Sequence, residues 1–200
     1  MLTRRNLIQA GAAAALVGLS RPVFAAPRWH VPVNPDLLDR ALAAMNRNRR
    51  FLKSTDVIAI ADYTRPSREE RFHLLHTDSG IVTSYQVSHG RGSDPRHSGY
   101  LDRFSNVHGS AASSHGAYLT GDLYEGKYGR SLRLKGLDDS NSNAMARGIV
   151  VHSAPYAEPE FAEELGKLGR SEGCFALAQL SLFLVLKRLG PGRLLYSDKV

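Results

Sequence analysis

The 200-residue chain holds one cysteine, Cys174, so no disulfide can close within it. That thiol is therefore buried and inert, joined to another chain, or reactive. Long apolar runs are also lacking. The longest, Ala10 to Leu19, falls short of the roughly 20 residues that a bilayer span needs, so no stable membrane span is expected. Nor is there a dense Lys/Arg stripe of the kind that grips nucleic acid, although the formal charge is +7. No internal repeat and no low-complexity tail is present, which excludes solenoid and fibrous architectures. Metal-ligand spacing is missing as well. His89, His97, His108 and His115 share one stretch without matching a familiar motif, and His73 and His76 in a strand would face opposite ways.

What the chain does have at its start is a cationic Thr3-Arg4-Arg5, a short Ala/Gly/Leu/Val run and small residues at Ala25 and Ala26. This order reads as a signal peptide over residues 1–25, and the paired arginines point to the twin-arginine export route. Removing it takes away three arginines and no acid, lowering the formal charge from +7 to +4. The remaining ~175 residues suit a single domain with its own core.

Asn34-Pro35-Asp36 forms a helix-start signal, and Leu37, Leu38, Ala41, Leu42 and Met45 follow with helical spacing, predicting a leading helix over about 35–50. Strands are expected at 56–63, 71–76 and 81–87, the last two joined through Asp78-Ser79-Gly80. Residues 89–115, rich in Gly, Ser, His and Asn, read as a long surface loop and a candidate lid. Further strands are expected at 116–123, 130–134, 147–152 and 194–196, and helices at 158–167 and 175–188. The fold class is mainly β with peripheral helices.

Two segments carry chemistry. Ile149-Val150-Val151-His152-Ser153 ends a buried strand on a histidine; Gly169-Arg170-Ser171-Glu172-Gly173-Cys174 places the thiol just ahead of the expected helix. A helix N-terminus would favour the thiolate, an imidazole could take the thiol proton, and Gly173 would let substrate backbone approach.

The pattern H-x-x-x-x-Y followed by S-x-G-C resembles the L,D-transpeptidase (YkuD-like) catalytic domain family, in its branch of murein L,D-transpeptidase catalytic domain proteins. Arg103 to Asn106, Ser113 to Gly121 and Tyr128 to Leu134 extend the likeness. The resemblance implies a β-sandwich-like fold. It also implies Cys174 as nucleophile, His152 as its base, the Ser153 backbone carbonyl orienting the imidazole, and the Gly173 and Cys174 amides holding an oxyanion. Many members carry Ile/Val-Arg after the cysteine, and the nearest branch usually has proline first; here the residues are Phe175-Ala176. Arg170 then becomes the candidate for a substrate carboxylate, with Ser171, Tyr156 and Tyr118 as further substrate-binding candidates. Implied with these are peptidoglycan stem peptides as substrate, a periplasmic or wall-associated location, and no need of metal or organic cofactor. A thiol L,D-carboxypeptidase on the same stems and a non-catalytic wall-binding protein are the alternative readings.

Overall fold

A computed structural model describes residues 32–200; the signal-peptide reading of residues 1–25 lies outside them. The first element, α1 (Pro35–Asn48), begins where Asn34 accepts a side-chain hydrogen bond from the Asp36 amide at 2.9 Å with Pro35 in the first turn. Its Leu37, Ala41 and Ala44 are buried against the sheet.

Eight strands follow: β1 (Val57–Asp62), β2 (Phe72–His76), β3 (Val82–Tyr85), β4 (Gly116–Gly126), β5 (Gly129–Gly136), β6 (Val150–Ser153), β7 (Phe175–Leu177) and β8 (Leu194–Asp198). They form one sheet in the order β3-β2-β1-β8-β4-β5-β6-β7. Two further helices are α2 (Pro159–Leu165) and α3 (Gln179–Leu189). The mainly β expectation with peripheral helices therefore holds. Among the described residues no helix is long and apolar enough to cross a membrane.

The alternation along β1 explains its unbroken apolar sequence. Val57, Ala59 and Ala61 face the main core, whereas Ile58 and Ile60 face a second core beneath α1, so both sides are covered. The main core joins strands far apart in the sheet order. Phe175 of β7 has ring centroids 6.4 Å from Phe72 of β2, 6.3 Å from Tyr63 and 5.6 Å from Tyr118 of β4. The sheet thus curls over, and its two halves enclose one apolar layer in sandwich fashion.

Two expectations are corrected. The segment 175–188 is not one helix: residues 175–177 form β7 and α3 starts only at Gln179. Phe175 and Leu177 are fully buried while Ala176 faces the other way, a two-residue alternation that a strand satisfies and a helix does not. The 89–115 segment is not a free surface loop. His89, Asp94, Leu101, Ala112, Ser113 and Ser114 are buried, and isolated bridges tie Ser88 to Ala176 and Gly90 to Ser171. It flanks the cysteine segment as a wall, which removes the basis for a lid.

Inside this wall the polar groups are satisfied in a chain. Buried Arg71 donates to the Val87 and Arg65 carbonyls and, at 2.7 Å, to His89 Nδ1. Arginine can only donate, so His89 is neutral with its hydrogen on Nε2, directed to Asp94 at 3.3 Å. Burial, reinforced by the Arg71 charge, holds His89 down to about 3, and burial holds His73 down to about 4. The unfolded chain would protonate both near 6.5. Stability is therefore expected to be full above that pH and to fall as protons bind the unfolded state alone, by roughly 4 kcal/mol at pH 5. Urea unfolding at pH 7.5 and pH 5 checks this: a midpoint that stays unchanged would refute the buried neutral imidazoles.

Candidate active site

β6 and β7 run parallel, with Val151 opposite Phe175, His152 opposite Ala176 and Ser153 opposite Leu177. Val151, Phe175 and Leu177 point into the main core. The intervening residues must then point to the other face, so His152 on β6 and Cys174, just before β7, share one side of the sheet. Cys174 is partly buried and His152 nearly fully so.

The imidazole is fixed by its neighbours. His152 Nδ1 lies 2.8 Å from the Ser153 carbonyl oxygen. A carbonyl only accepts, so Nδ1 carries the hydrogen and Nε2 keeps a free lone pair. The Tyr128 ring stacks on the imidazole at 4.6 Å and 25°. Burial lowers the His152 pKa, and the bond to Ser153 offsets part of that. The ring is consequently neutral at neutral pH, in the form that can take a proton.

The expected helix dipole is not available to the thiol, because Cys174 precedes a strand. Burial pushes the Cys174 thiol up, while the Val150 amide and the Arg147 charge pull it down. At rest the sulfur lies 3.6 Å from the Gly148 carbonyl. The resting pair is then a thiol and a neutral imidazole rather than a preformed ion pair.

The turn before Cys174 is tightly braced. Gly173 sits at φ +112°, and a Cβ there would meet the Ala112 carbonyl oxygen at 2.5 Å and Arg147 Nη2 at 3.1 Å, so only glycine fits. Ser171 is buried, donates to the Cys174 carbonyl at 2.7 Å and accepts from the Gly173 amide at 3.1 Å. Ser171 is thus a brace for the turn rather than a substrate contact. The same bond occupies the Gly173 amide, which corrects its expected availability to an oxyanion. Arg170 donates to the Asp94 and Pro95 carbonyls and clamps the flanking wall. Tyr118 is fully buried with its hydroxyl on Ser114, so it belongs to the core and is withdrawn from the substrate-binding set. Tyr156 is half-buried and packs beside Ala154, Ala157 and Ala176, on the cysteine side of β7.

Sequence reasoning missed Arg147 and Tyr128. Arg147 precedes the strand by three residues in a polar stretch, and no local pattern marks it. Its guanidinium donates to the Ser105 carbonyl at 2.7 Å, to the Ala112 carbonyl and to Ser110 Oγ at 3.3 Å. Among the described residues no carboxylate lies within 4 Å of it. A cation without a carboxylate partner therefore rests against the turn that carries the thiol.

With this geometry in hand, a family profile described as the L,D-transpeptidase catalytic domain matches residues 30–197. The chain belongs to that family. No curated protein matches it. Among solved structures it is similar to an L,D-transpeptidase from Mycobacterium smegmatis, at 14% identity and TM-score 0.45, with 72% of this chain and 59% of that one covered. L,D-transpeptidase 3 from Mycobacterium tuberculosis, in complex with a faropenem-derived adduct, matches at 16% identity and TM-score 0.47, covering 72% and 60%. One from Xylanimonas cellulosilytica matches at 15% and 0.43, covering 78% and 68%. The chain spans about three fifths of the length of the two mycobacterial proteins.

The Arg147 charge is expected to hold the thiol down. In Arg147→Met the midpoint of the iodoacetamide alkylation rate against pH should rise by about one pH unit, with Arg147→Lys in between. Circular dichroism on each variant separates this from unfolding. An unshifted midpoint in a folded Arg147→Met protein would show that the cation serves the loop alone.

Proposed function

We propose that this protein is an exported, cysteine-dependent L,D-transpeptidase acting on peptidoglycan stem peptides. What supports the reading is the parallel pairing of β6 with β7, from whose alternation His152 and Cys174 fall on one side of the sheet, together with the His152 tautomer set by the Ser153 carbonyl. Family membership supports the acyl-transfer chemistry. The twin-arginine leader read at residues 1–25 supports delivery to the periplasm or wall.

In the first half-reaction the Cys174 sulfur attacks the carbonyl of the third stem residue as His152 Nε2 takes the thiol proton. The C–S bond forms, the peptide C–N bond breaks, and His152 returns the proton to the departing D-Ala amine. The Cys174 amide is the donor for the developing oxyanion, with Gly173 giving the substrate backbone room. In the second half-reaction a side-chain amine of another stem attacks the thioester. The C–N bond forms, the C–S bond breaks, His152 takes the amine proton, and the thiol is restored by that proton. Water in the amine's place would give L,D-carboxypeptidase activity through the same thioester. Each step uses only side-chain and main-chain groups of the protein and its substrates.

Brief incubation of the mature protein with a disaccharide-tetrapeptide should add the mass of the stem minus D-Ala, read by intact mass spectrometry. Cys174→Ala should show no adduct, and His152→Ala should acylate about 10²- to 10⁴-fold more slowly. Sacculus binding that survives Cys174→Ala, with no adduct on the unmutated protein, would move the reading to a non-catalytic wall-binding protein.

A further inference from the structure

Helix α3 is apolar on both of its sides. Leu182, Val185 and Leu189 are buried in the main core. Leu180, Phe183 and Leu184 share the opposite side by helical spacing, and they stay 70%, 54% and 37% exposed. A helix that only covers a core carries polar residues on its outer face, so this stripe marks a contact surface. It ends in Lys187 and Arg188, both exposed. Lys187 Nζ rests 4.4 Å from the centre of the Phe183 ring, so its stem covers apolar surface while its charge stays free. Beside the stripe runs a groove of about 300 Å³, floored by Leu123, Leu182 and Leu186 and bounded by Tyr128 and Arg130 of the β4–β5 hairpin. Half-exposed Tyr128 has Lys127 Nζ 5.4 Å from its ring centre. Arg130 has Glu125 as its register partner across the hairpin, yet among the described residues no carboxylate lies within 4 Å of Lys127, Arg130, Lys187 or Arg188. At the other end of α3, about two turns from its cations, the Glu158 carboxylate accepts from the Gln179 amide at 2.9 Å.

Area and charge choose the occupant. The exposed parts of Leu180, Phe183, Leu184 and Tyr128 fall well short of the roughly 800 Å² that a stable dimer buries on each partner, and a second copy would add cations to cations already uncompensated. An anionic bilayer answers both features: acyl chains take the leucine and phenylalanine side chains, headgroup phosphates take the lysines and arginines, and a tyrosine suits the boundary between them. We propose that α3 and the adjoining β4–β5 hairpin seat this protein on the surface of an anionic phospholipid membrane. The attachment is peripheral, with Leu180, Phe183 and Leu184 entering the headgroup layer and Lys127, Arg130, Lys187 and Arg188 around them. The fold also sets the orientation. α3 packs on the main core, the side of β6 and β7 to which Val151, Phe175 and Leu177 point, whereas His152 and Cys174 fall on the other side. A bilayer against α3 therefore leaves the thiol and the imidazole directed away from it. On the transpeptidase reading given above, docking turns the site from the membrane towards the wall.

The mature protein should co-sediment with vesicles of equimolar phosphatidylcholine and phosphatidylglycerol, come off them as salt is raised, and pass by vesicles of phosphatidylcholine alone. Lys187→Glu/Arg188→Glu and Leu180→Ser/Phe183→Ser should each bind the mixed vesicles about tenfold more weakly or worse. Both double variants change exposed side chains on the far side of the sheet from Cys174, so each should keep the circular dichroism of the unmutated protein and form the acyl adduct on a soluble disaccharide-tetrapeptide at an unchanged rate. Undiminished vesicle binding by either folded variant, equal binding to the two kinds of vesicle, or no binding by the unmutated protein would overturn the membrane face. A mature protein that sediments as a dimer, and as a monomer once Leu180→Ser/Phe183→Ser is introduced, would give the stripe to a second copy and overturn it too. Vesicle binding by a protein that forms no adduct would overturn the transpeptidase reading and leave the docking face standing.

Discussion

The site depends on the pairing of two short parallel strands, β6 and β7. Parallel neighbours in register send alternate residues the same way, so burying Val151, Phe175 and Leu177 in one core obliges His152 and Cys174 to share the opposite face. The hydrophobic term holds this arrangement. Phe175 touches aromatic rings from three other parts of the chain and is fully buried; truncating a phenylalanine so placed costs about 3–5 kcal/mol. Shifting β7 by one residue would expose Phe175 and bury the thiol. The placement of His152 and Cys174 and the packing of the core are therefore the same constraint, met from two faces.

Around that pair, polar contacts fix what the core leaves free. Ser171 ties both the Gly173 amide and the Cys174 carbonyl, and Gly173 accepts a backbone angle and a closeness to Ala112 that a side chain would prevent. Arg147 joins the Ser105 to Ala112 loop to this turn. The buried chain from Arg71 through His89 to Asp94 stiffens the wall whose Ser88 and Gly90 bridge to Ala176 and Ser171. Electrostatically the outcome is restrained: desolvation raises the thiol and lowers the imidazole, so both rest in their neutral forms at neutral pH.

Much of the scaffold was legible because its signals are local. Asn34-Pro35-Asp36 marks the start of α1, and DVIAIADY reads as a strand because both its faces are covered. The stretch FALAQLSLFLVLKR was misread because its first residues are apolar enough for either structure. The partner that makes Phe175–Leu177 a strand is Val151–Ser153, more than twenty residues upstream, and no local window contains it. Arg147, Tyr128 and the braced loop escaped for the same reason, since their roles arise from contacts between distant segments. Tyr118 and Ser171 were placed near substrate by motif position alone, and burial assigns them to packing and to the turn. Cys174 precedes a strand, so no helix dipole acts on the thiol, and the Arg147 guanidinium lies beside its turn instead.

His152 waits as a neutral imidazole with its hydrogen on Nδ1 and its Nε2 lone pair free. Imidazole ¹⁵N chemical shifts of the mature protein, followed against pH, test it directly. The expected result is a protonated Nδ1 and bare Nε2 at pH 7, titrating below the ordinary histidine value of about 6.5 because the ring is buried. A hydrogen on Nε2 at pH 7, or an imidazolium there, would contradict it.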